Sequence, residues 1–321
     1  MIKVGIVGAG QNAIGHAHYF NLSPRSEIVF IADPLVERAQ QLVEEHGGKA
    51  IGDFREMLGE VDAVVVCSPN FLHHEQALEV ARAGCHVYCE KPMGLNIEQA
   101  REIAEAVNNA GVKSQVGFAV RFSDTVQTMM RYAREGELGD IVSIVSRRLC
   151  YFDAESGPSW RQDHDLSGGL LMEINIHELD WMIQIGGEVE SVYARTWAKK
   201  PKSERSNDQI WVTLNFQKGA TGLHEGSWIS STATYYRNVQ GTTGGMHTDE
   251  WGSQLYYADT GEDRVGIKPD ADFDLRGNFL DAIEGKVPAV ADVNNALKVM
   301  IVAEAIFKSA KSGEVVSISS L

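Results

Sequence analysis

The pattern Gly8-x-Gly10-x-x-Ala13 directly follows an apolar segment and carries the most recognisable chemistry near the start of the sequence. Gly8 permits a tight turn, Gly10 lets the backbone approach a pyrophosphate, and the small Ala13 lets a helix pack closely on a strand. The free N–H groups at the start of such a helix favour a phosphate. We therefore predict a dinucleotide-binding turn and assign Gln11 and Asn12, which lie within it, to the same site.

Asp33 ends the next apolar segment, about 20 residues after Ala13, where a ribose-binding carboxylate is expected. A carboxylate there accepts hydrogen bonds from both ribose hydroxyls and repels the 2′-phosphate of NADP. Pro34 and Leu35 follow, at positions where an NADP enzyme would favour a cationic or hydroxyl side chain. Asp33 is also a good N-cap for a helix that begins at Pro34, and the two roles are compatible. The sequence predicts that the cofactor is NAD.

The elements that must position these residues alternate through residues 1–120. Short, continuous, β-branched apolar segments are typical of buried parallel strands, and amphipathic segments between them are typical of crossover helices. The predicted strands are 2–7, 28–32, 63–67, 86–89 and 114–118, and the predicted helices are 13–20, 35–46, 71–83 and 97–109. This alternation predicts a doubly wound parallel sheet, a Rossmann domain.

The pattern changes in residues 121–321, where polar and apolar side chains alternate. A period of two favours an antiparallel sheet with one covered face. The predicted strands are 140–149, 190–197, 209–216, 221–228, 236–241 and 254–258, the predicted helices are 170–184, 273–283 and 293–309, and 199–207 is predicted to be an exposed hairpin loop. We therefore predict a second, α+β domain over residues 121–321.

Four more motifs follow in order along the chain: Ser68-Pro69-Asn70-x-x-His73, Glu90-Lys91-Pro92, Gly117-Phe118-x-x-Arg121-Phe122 and Gly168-Gly169-x-x-x-Glu173-x-x-x-His177-x-x-Asp180. With these motifs the chain resembles the Gfo/Idh/MocA family, whose members are mostly NAD(P)-dependent oxidoreductases acting on sugars, polyols and their derivatives. The resemblance runs from Ile2 to the terminal helices, and Glu90-Lys91-Pro92 is its most specific part. It implies that the α+β domain contains a large open, mainly antiparallel sheet through which a homodimer or homotetramer forms.

The resemblance also implies roles for individual residues. Positions that line the dinucleotide are matched by Ser68, Asn70, His73, Glu90 and Lys91, and positions that line the substrate pocket are matched by Lys91, Arg121, Glu173 and His177. The family helix more often carries Asp, followed two residues later by Gly or Ser, where this chain has Glu173 and Asn175. The resemblance therefore predicts a class of reaction rather than one named activity.

Oxidation of an alcohol by NAD⁺ requires a group that accepts the hydroxyl proton while the carbon loses hydride. Glu173 and His177 are four positions apart, so on a helix they share one face, where the carboxylate can orient the imidazole. Lys91 ends a strand at the carboxyl edge of the sheet, where the nicotinamide is expected. We predict that His177 accepts the proton, Lys91 polarises the oxygen and Glu173 supports them. An exchange of roles between Lys91 and His177 is equally compatible with the sequence.

A charged and aromatic segment precedes the predicted catalytic helix. Trp160 could stack on a sugar ring, while Arg161 and His164 could bind hydroxyl groups. Consecutive side chains of the kind found at residues 163–165 rarely converge on one ion, so we predict no metal site. Asn175 and Tyr235 complete the predicted substrate contacts, although Tyr235 could equally pack in the sheet.

Composition excludes several other classes of function. The 321-residue chain carries a formal net charge of −15 and has no cluster of Lys and Arg, which argues against a nucleic-acid partner. It has no run of 18 apolar residues, so we predict no membrane span. Its four cysteines lack the spacing of a redox pair or zinc knuckle. We predict a reduced, cytoplasmic enzyme with a small carbohydrate or cyclitol substrate.

Three functions remain compatible with these residues. The first is a plain dehydrogenase that releases NADH. The second keeps NAD bound and uses transient oxidation to acidify a neighbouring C–H, as a lyase, epimerase or glycoside-cleaving enzyme would. The third is a non-catalytic NAD-binding sensor on the same fold, which the presence of Lys91, Glu173 and His177 disfavours.

Overall fold

Two separate sheets organise the computed structural model of the chain, which describes residues 1–152, 158–270 and 274–321. Unit 1 comprises Met1–Gly117 and Asp274–Leu297, and unit 2 comprises Phe118–Phe273 and Lys298–Leu321. The predicted boundary near residue 120 therefore omits one feature, the return of 274–297 to unit 1. Backbone hydrogen bonding explains that return, because the Val116 N–H donates to the Ala291 carbonyl oxygen at 2.7 Å.

Unit 1 contains six strands in the order β3-β2-β1-β4-β5-β6 among its described residues, and every neighbouring pair is parallel. The strands are β1 (Ile2–Val7), β2 (Ser26–Ala32), β3 (Lys49–Ile51), β4 (Ala63–Val66), β5 (His86–Cys89) and β6 (Ser114–Val116). The helices are α1 (Gln11–Leu22), α2 (Val36–His46), α3 (His73–Arg82) and α4 (Ile97–Ala110), with 3-10 turns at Phe54–Met57 and Asn70–Leu72. Because the strands are covered by helices, continuous apolar runs such as Ala63–Val66 are fully buried. The predicted doubly wound parallel sheet is confirmed.

Unit 2 is built on a sheet whose nine strands in the described ranges follow the order β14-β13-β12-β11-β7-β10-β9-β8-β15. The strands are β7 (Ile141–Tyr151), β8 (Val189–Trp197), β9 (Gln209–Phe216), β10 (Thr221–Ser227), β11 (Ile229–Gly241), β12 (Gly244–Thr248), β13 (Leu255–Asp259), β14 (Val265–Ile267) and β15 (Val316–Ser317). Among these strands β10 pairs with β7 in parallel, and the remaining pairs are antiparallel. The predicted mainly antiparallel sheet is confirmed.

The remaining helices of the described residues are divided between the two units. They are α5 (Asp124–Glu135), α6 (Ser159–Gln162), α7 (His164–Ser167), α8 (Ile176–Gly186), α9 (Leu275–Ile283) in unit 1 and α10 (Val293–Ser312), with 3-10 turns at Ala119–Phe122 and Ile318–Ser320. Along β8 and β9 the inward residues Val192 and Leu214 are buried, whereas the outward Tyr193 and Trp211 are 38% and 46% exposed. The alternation predicted from the sequence therefore separates a packed face from an open one.

Two predicted elements differ from the structure in ways that concern the site. The segment predicted as one helix over 170–184 begins as a π-helix, Leu171–Asn175, and continues as α8. The predicted exposed loop 199–207 ends in buried residues, Ser206 and Asn207. Residue 273, the predicted start of the helix before Ile283, lies outside the described residues. Within the described ranges, no helix has the length and apolar character that crossing a membrane requires.

Candidate active site

The glycine turn of unit 1 has the shape of a phosphate cradle. Gly8 has φ +88°, and a Cβ at this position would lie 2.8 Å from the backbone nitrogen of Ser68. Both the backbone conformation and the lack of space therefore exclude a side chain. Gly10 caps α1 without a side-chain hydrogen bond, and a Cβ on it would meet nothing within 4 Å. The first turn of α1 carries no acidic side chain. Open space in front of an uncapped helix N-terminus fits a pyrophosphate.

Asp33 joins this turn to the end of β2. One carboxylate oxygen accepts a hydrogen bond from the Ala9 N–H at 2.9 Å, and the other accepts one from the Leu35 N–H at 2.9 Å. The second bond closes a turn ahead of α2, which begins at Val36 with Leu35 as its N-cap, so the prediction that Asp33 caps a helix beginning at Pro34 is wrong. Each carboxylate oxygen can accept more than one hydrogen bond, so these contacts orient the group and leave acceptor capacity for ribose hydroxyls.

Two buried histidines bond to the turns that follow β4 and β5 in unit 1. His73 is buried, and its ring nitrogens lie 2.7 Å from the Pro92 carbonyl oxygen and 2.8 Å from the Ser68 carbonyl oxygen. His16 is also buried, and its Nε2 lies 2.8 Å from Oε1 of Glu90. His73 was predicted to line the dinucleotide. In the structure its two ring nitrogens bond to the backbone of the turns that contain Ser68 and Pro92.

Glu90 is held as a carboxylate at the end of β5. Burial would raise the pKa of its carboxyl, but the hydrogen bond from His16 and the charge of neighbouring Lys91 outweigh that effect and lower the pKa below its ordinary value. A Cβ at Gly117 would come within 2.7 Å of Oε2 of Glu90, so glycine leaves room for this carboxylate. Lys91 follows directly and is half-buried.

The strand order explains why these separate turns form one site. Gly8, Asp33, Ser68 and Glu90 follow β1, β2, β4 and β5, which are neighbours in the sheet. The carboxyl ends of parallel strands share one edge, where open α/β sheets bind their ligands. The residues predicted from separate motifs are therefore brought to the same edge of unit 1, and they fit NAD.

In unit 2, Asn207 organises the start of the candidate catalytic helix. Its side-chain oxygen accepts a hydrogen bond from the Leu171 N–H at 2.7 Å, and its carbonyl oxygen accepts one from the Leu170 N–H at 3.1 Å. Gly169, with φ +66°, allows this approach because a Cβ there would lie 2.5 Å from Nδ2 of Asn207. Sequence reasoning did not identify Asn207, since a lone asparagine in a polar hairpin carries no signal of this role.

Glu173 and His177 lie in the helical segment whose first N–H groups donate to Asn207. Glu173 is in the π-helix, where its Oε2 lies 3.5 Å from Nε of Arg161. His177 is in the first turn of α8 and is 9% exposed, with the Phe118 ring edge-on at 6.3 Å between centroids. The guanidinium of Arg161 also lies 5.1 Å from the Trp160 ring centroid. The structure thus brings the predicted substrate segment of α6 against the predicted catalytic carboxylate.

Helix α8 is fixed by two buried ion-pair systems. Glu178 accepts hydrogen bonds from Nε and a terminal nitrogen of Arg237 at 3.1 and 2.7 Å, and from Trp181 Nε1 at 2.6 Å. Burial would raise the pKa of Glu178, but Arg237 and Arg148 overcome it and hold the pKa far below its ordinary value. Asp180 forms a two-point pair with Arg121, whose Nε donates at 2.8 Å.

Comparison with known proteins assigns the chain to a family. Residues 2–118 match the model described as an oxidoreductase family with an NAD-binding Rossmann fold, and residues 126–247 match that of the GFO/IDH/MocA C-terminal domain. The chain belongs to the Gfo/Idh/MocA family. The predicted resemblance and the predicted NAD cofactor are confirmed.

Individual members of the family are similar over much of the chain. D-glucoside 3-dehydrogenase of Escherichia coli K12 is 28% identical, covering 97% of this chain and 96% of its own. 2,7-anhydro-N-acetylneuraminate hydratase, also of Escherichia coli K12, is 28% identical over 78% of this chain and 68% of its own. The crystal structure of the WlbA dehydrogenase from Bordetella pertussis, in complex with NADH and UDP-GlcNAcA, is 25% identical with a TM-score of 0.87, covering 98% and 97% of the two chains.

Three of the residues predicted as substrate contacts are buried in unit 2. Arg121 is 1% exposed against Asp180, so its guanidinium holds α8 in place. Asn175, in the π-helix, is fully buried, and its Nδ2 lies 2.8 Å from Nε2 of His224 in β10. His164 is 8% exposed: its Nδ1 accepts from the Asn207 N–H at 3.1 Å, and its ring packs on Trp228. The sequence predicted a regular α-helix at Asn175, where the structure has a π-helix. Arg121 is buried because its guanidinium pairs with the Asp180 carboxylate.

Other predicted positions keep partly exposed polar groups. Tyr235 is half-buried, with its ring 5.5 Å from the guanidinium of Arg148. Trp160 and Arg161 are half-buried as well. Among the residues that the structure describes, no group of three or more His, Cys, Asp or Glu side chains is arranged to hold a metal ion.

Proposed function

We propose that this family member is an NAD-dependent oxidoreductase that transfers hydride between nicotinamide and a hydroxyl or ketone of a sugar, cyclitol or sugar derivative. The observation that carries the proposal is the relative named D-glucoside 3-dehydrogenase, which is similar over nearly the full length of both chains. The chain contains Lys91, Glu173 and His177, the residues to which we assign this chemistry.

We assign the cofactor to the carboxyl edge of the unit 1 sheet. The pyrophosphate would lie on the turn of Gly8, Gly10, Gln11 and Asn12, and the adenosine ribose on Asp33. Ser68, Asn70, Glu90 and Lys91 would line the rest of the dinucleotide, with His73 supporting their turns. Bound NAD⁺ supplies the hydride acceptor for the oxidation.

In this proposal His177 accepts the hydroxyl proton of the substrate as a general base. The ammonium of Lys91 polarises the same oxygen and favours alkoxide character, and Glu173 supports the site from the π-helix. Oε2 of Glu173 lies 3.5 Å from Nε of Arg161, so in this proposal a substrate meets a carboxyl group and a guanidinium side by side. Trp160, Arg161 and Tyr235 are the proposed substrate contacts that keep exposed surface.

Single substitutions test the assignment. Purified protein is screened with NAD⁺ against glucosides, free sugars and inositols, and NADH formation and product release are both followed. His177→Ala and Lys91→Ala are expected to lower turnover by roughly 10²–10⁴-fold while NADH binding persists. His74→Ala serves as the matched control, because His74 is a half-buried histidine of α3 that pairs with Glu102. Turnover within twofold of wild type in both His177→Ala and Lys91→Ala contradicts the catalytic roles.

A second candidate function is transient oxidation with NAD retained, giving elimination or hydration. It is favoured by the relative named 2,7-anhydro-N-acetylneuraminate hydratase, which is as similar in identity as the dehydrogenase. The two functions differ in a direct observable. Cofactor that co-purifies, with product formed and no net NADH, supports the second; stoichiometric NADH supports the first.

We also propose that the open sheet face of unit 2 forms a homodimer or homotetramer. Tyr193, Trp211 and Leu223 project from β8, β9 and β10 and are between 38% and 48% exposed. Trp211→Glu is expected to shift the mass measured by light scattering toward the monomer. Unchanged mass at all concentrations contradicts the assignment.

A reducing, cytoplasmic location is proposed on the ground that all four cysteines are free thiols, and cell fractionation tests it.

A further inference from the structure

His16 lies between two charged groups of unit 1 that are distant in sequence. The ring is 1% exposed, on the inner side of α1. Its Nδ1 lies 3.0 Å from Nε of Arg276, at the start of α9, and its Nε2 lies 2.8 Å from Oε1 of Glu90, at the end of β5. The three side chains therefore form a continuous hydrogen-bonded line that ends one residue before Lys91.

The chemistry of the two ends determines where the ring proton lies. Arginine has only donors and remains charged at every accessible pH, so Nδ1 of His16 has to accept the hydrogen bond from Arg276. A neutral imidazole carries one proton, which is then on Nε2 and is donated to the Glu90 carboxylate. Protonation of Nδ1 would place two donors face to face, which disfavours the imidazolium.

We propose that Arg276 is a positioning residue of the cofactor site, which acts through the fixed tautomer of His16 to orient the carboxylate of Glu90. This inference rests on the proposed function insofar as Glu90 lines NAD. No bond is made or broken in the arrangement; Arg276 sets the direction of two hydrogen bonds. The carboxylate is thereby oriented through an imidazole ring that stays neutral.

The groups around His16 support a neutral ring. Burial lowers the pKa of His16, the Glu90 carboxylate acts in the opposite direction, and the Arg276 charge lowers the pKa further. The Tyr88 ring of β5 packs edge-on at 4.7 Å, and Phe20 of α1 is also in aromatic contact, at 6.4 Å. The other titratable groups near Glu90 are the buried thiols of Cys67 and Cys89, the Tyr88 hydroxyl, the His73 ring and the Lys91 ammonium.

Helix α9 holds Arg276 by contacts of its own. Asp274 caps the helix by accepting from the Arg276 N–H at 3.0 Å and also accepts from the Tyr19 hydroxyl of α1 at 2.5 Å. The guanidinium lies 5.8 Å from the Tyr19 ring centroid, and a Cβ at Gly15 would be 3.2 Å from its terminal nitrogen. Arg276 is thus placed by the segment 274–297 that returns to unit 1.

Four variants of the full chain separate this role from simple packing. Arg276→Met removes the donor and the charge, and Arg276→Lys keeps both. His16→Gln keeps one acceptor toward Arg276 and one donor toward Glu90 but does not titrate. Arg25→Met is the matched control, because Arg25 also binds α9 and the residue after it, through Asp281 and Glu284, without touching His16.

The first measurement is the ¹⁵N NMR signature of His16, with His16→Gln used to assign it. Wild type and Arg25→Met are expected to show a neutral ring protonated at Nε2 from pH 5.5 to 8. Arg276→Met is expected to titrate within that range, because losing a positive neighbour raises the histidine pKa while Glu90 remains. A wild-type ring protonated at Nδ1, or an Arg276→Met ring identical to wild type, overturns the inference whether or not the protein is a dehydrogenase.

The second measurement is the dissociation constant of NADH by fluorescence. Arg276→Met is expected to weaken binding roughly tenfold at pH 7 and to make it pH-dependent, whereas His16→Gln, Arg276→Lys and Arg25→Met stay within about threefold. Absence of NADH binding by wild type contradicts the proposed function. Wild-type binding with equal losses in Arg276→Met and Arg25→Met contradicts the positioning role alone.

Discussion

The cofactor turn of unit 1 and the candidate catalytic helix of unit 2 are held by different physical means. Asp33 bonds to the backbone of the turn that follows it and to the glycine turn of the adjacent strand. Helix α8, in contrast, is held by side chains 59 positions away in sequence, through Glu178 with Arg237 and Asp180 with Arg121. The first site depends on backbone conformation, and the second depends on buried charge being neutralised.

The largest effect is expected where the second mechanism is broken. Glu178→Gln removes the charge that neutralises Arg237 and Arg148, and an uncompensated buried ion costs about 3–5 kcal/mol. Urea unfolding of the full chain measures the loss. Glu225→Gln is the control, because its pair with Arg147 is exposed and contributes about 0–1 kcal/mol at most. Equal losses in the two variants would remove the distinction between the two regions.

A pH effect is expected from the buried side of the same unit. Burial lowers the pKa of His224 to about 4, from an ordinary value of 6.5. Between pH 4 and 6.5 His224 therefore binds a proton in the unfolded chain but not in the folded chain. The free energy of unfolding is highest above pH 6.5 and falls as the pH is lowered toward 4. The shift corresponds to about 3 kcal/mol. His224→Gln, which keeps an acceptor for Asn175, should show a smaller fall; an unchanged pH profile argues against a neutral His224.

Gly8→Ala tests the backbone mechanism in unit 1. A side chain at φ +88°, with 2.8 Å to the Ser68 nitrogen, is expected to cost about 1–3 kcal/mol of stability and to weaken NADH binding. Thermal unfolding with and without NADH measures both. Gly59→Ala is the control for φ, since Gly59 has φ +91° with nothing within 4 Å of a Cβ. If both variants retain wild-type NADH affinity, the close approach at Gly8 has no role in binding.

The smallest of these effects concerns cofactor choice. Asp33→Ala is expected to weaken NADH roughly tenfold, by loss of the ribose acceptor, and to weaken NADPH less because a repulsive charge is also removed. Titration of both cofactors by fluorescence gives the ratio. Asp53→Ala, at an exposed cap of unit 1, controls for loss of a carboxylate. A wild-type preference for NADPH contradicts the assignment of Asp33.

Much of unit 1 was predictable because its signals are local. Predicted strands 2–7 and 86–89 coincide with β1 and β5, and Gly8, Asp33, Ser68 and Glu90 each follow a strand end. The short β3 was missed, since three residues carry too little pattern. In unit 2 the alternation predicted β7 to β11 and β13, but it did not predict the short strands β12, β14 and β15, helix α5 or the π-helix. The π-helix leaves no periodic signal in the sequence, and its partners Asn207 and His224 are 36 and 49 positions away.

The site residues divide in the same way. Residue types and order alone identified an NAD turn, a Glu-Lys-Pro motif and a Glu–His helix, because each needs particular side chains at short spacing. The fold buries Arg121, Asn175 and His164 against Asp180, His224 and Trp228, contacts that the sequence did not indicate. The fold also brings Arg276 into hydrogen-bond contact with His16, 260 positions away, and His16 into contact with Glu90. Burial of a polar group demands a partner, and the partner can come from any distance along the sequence.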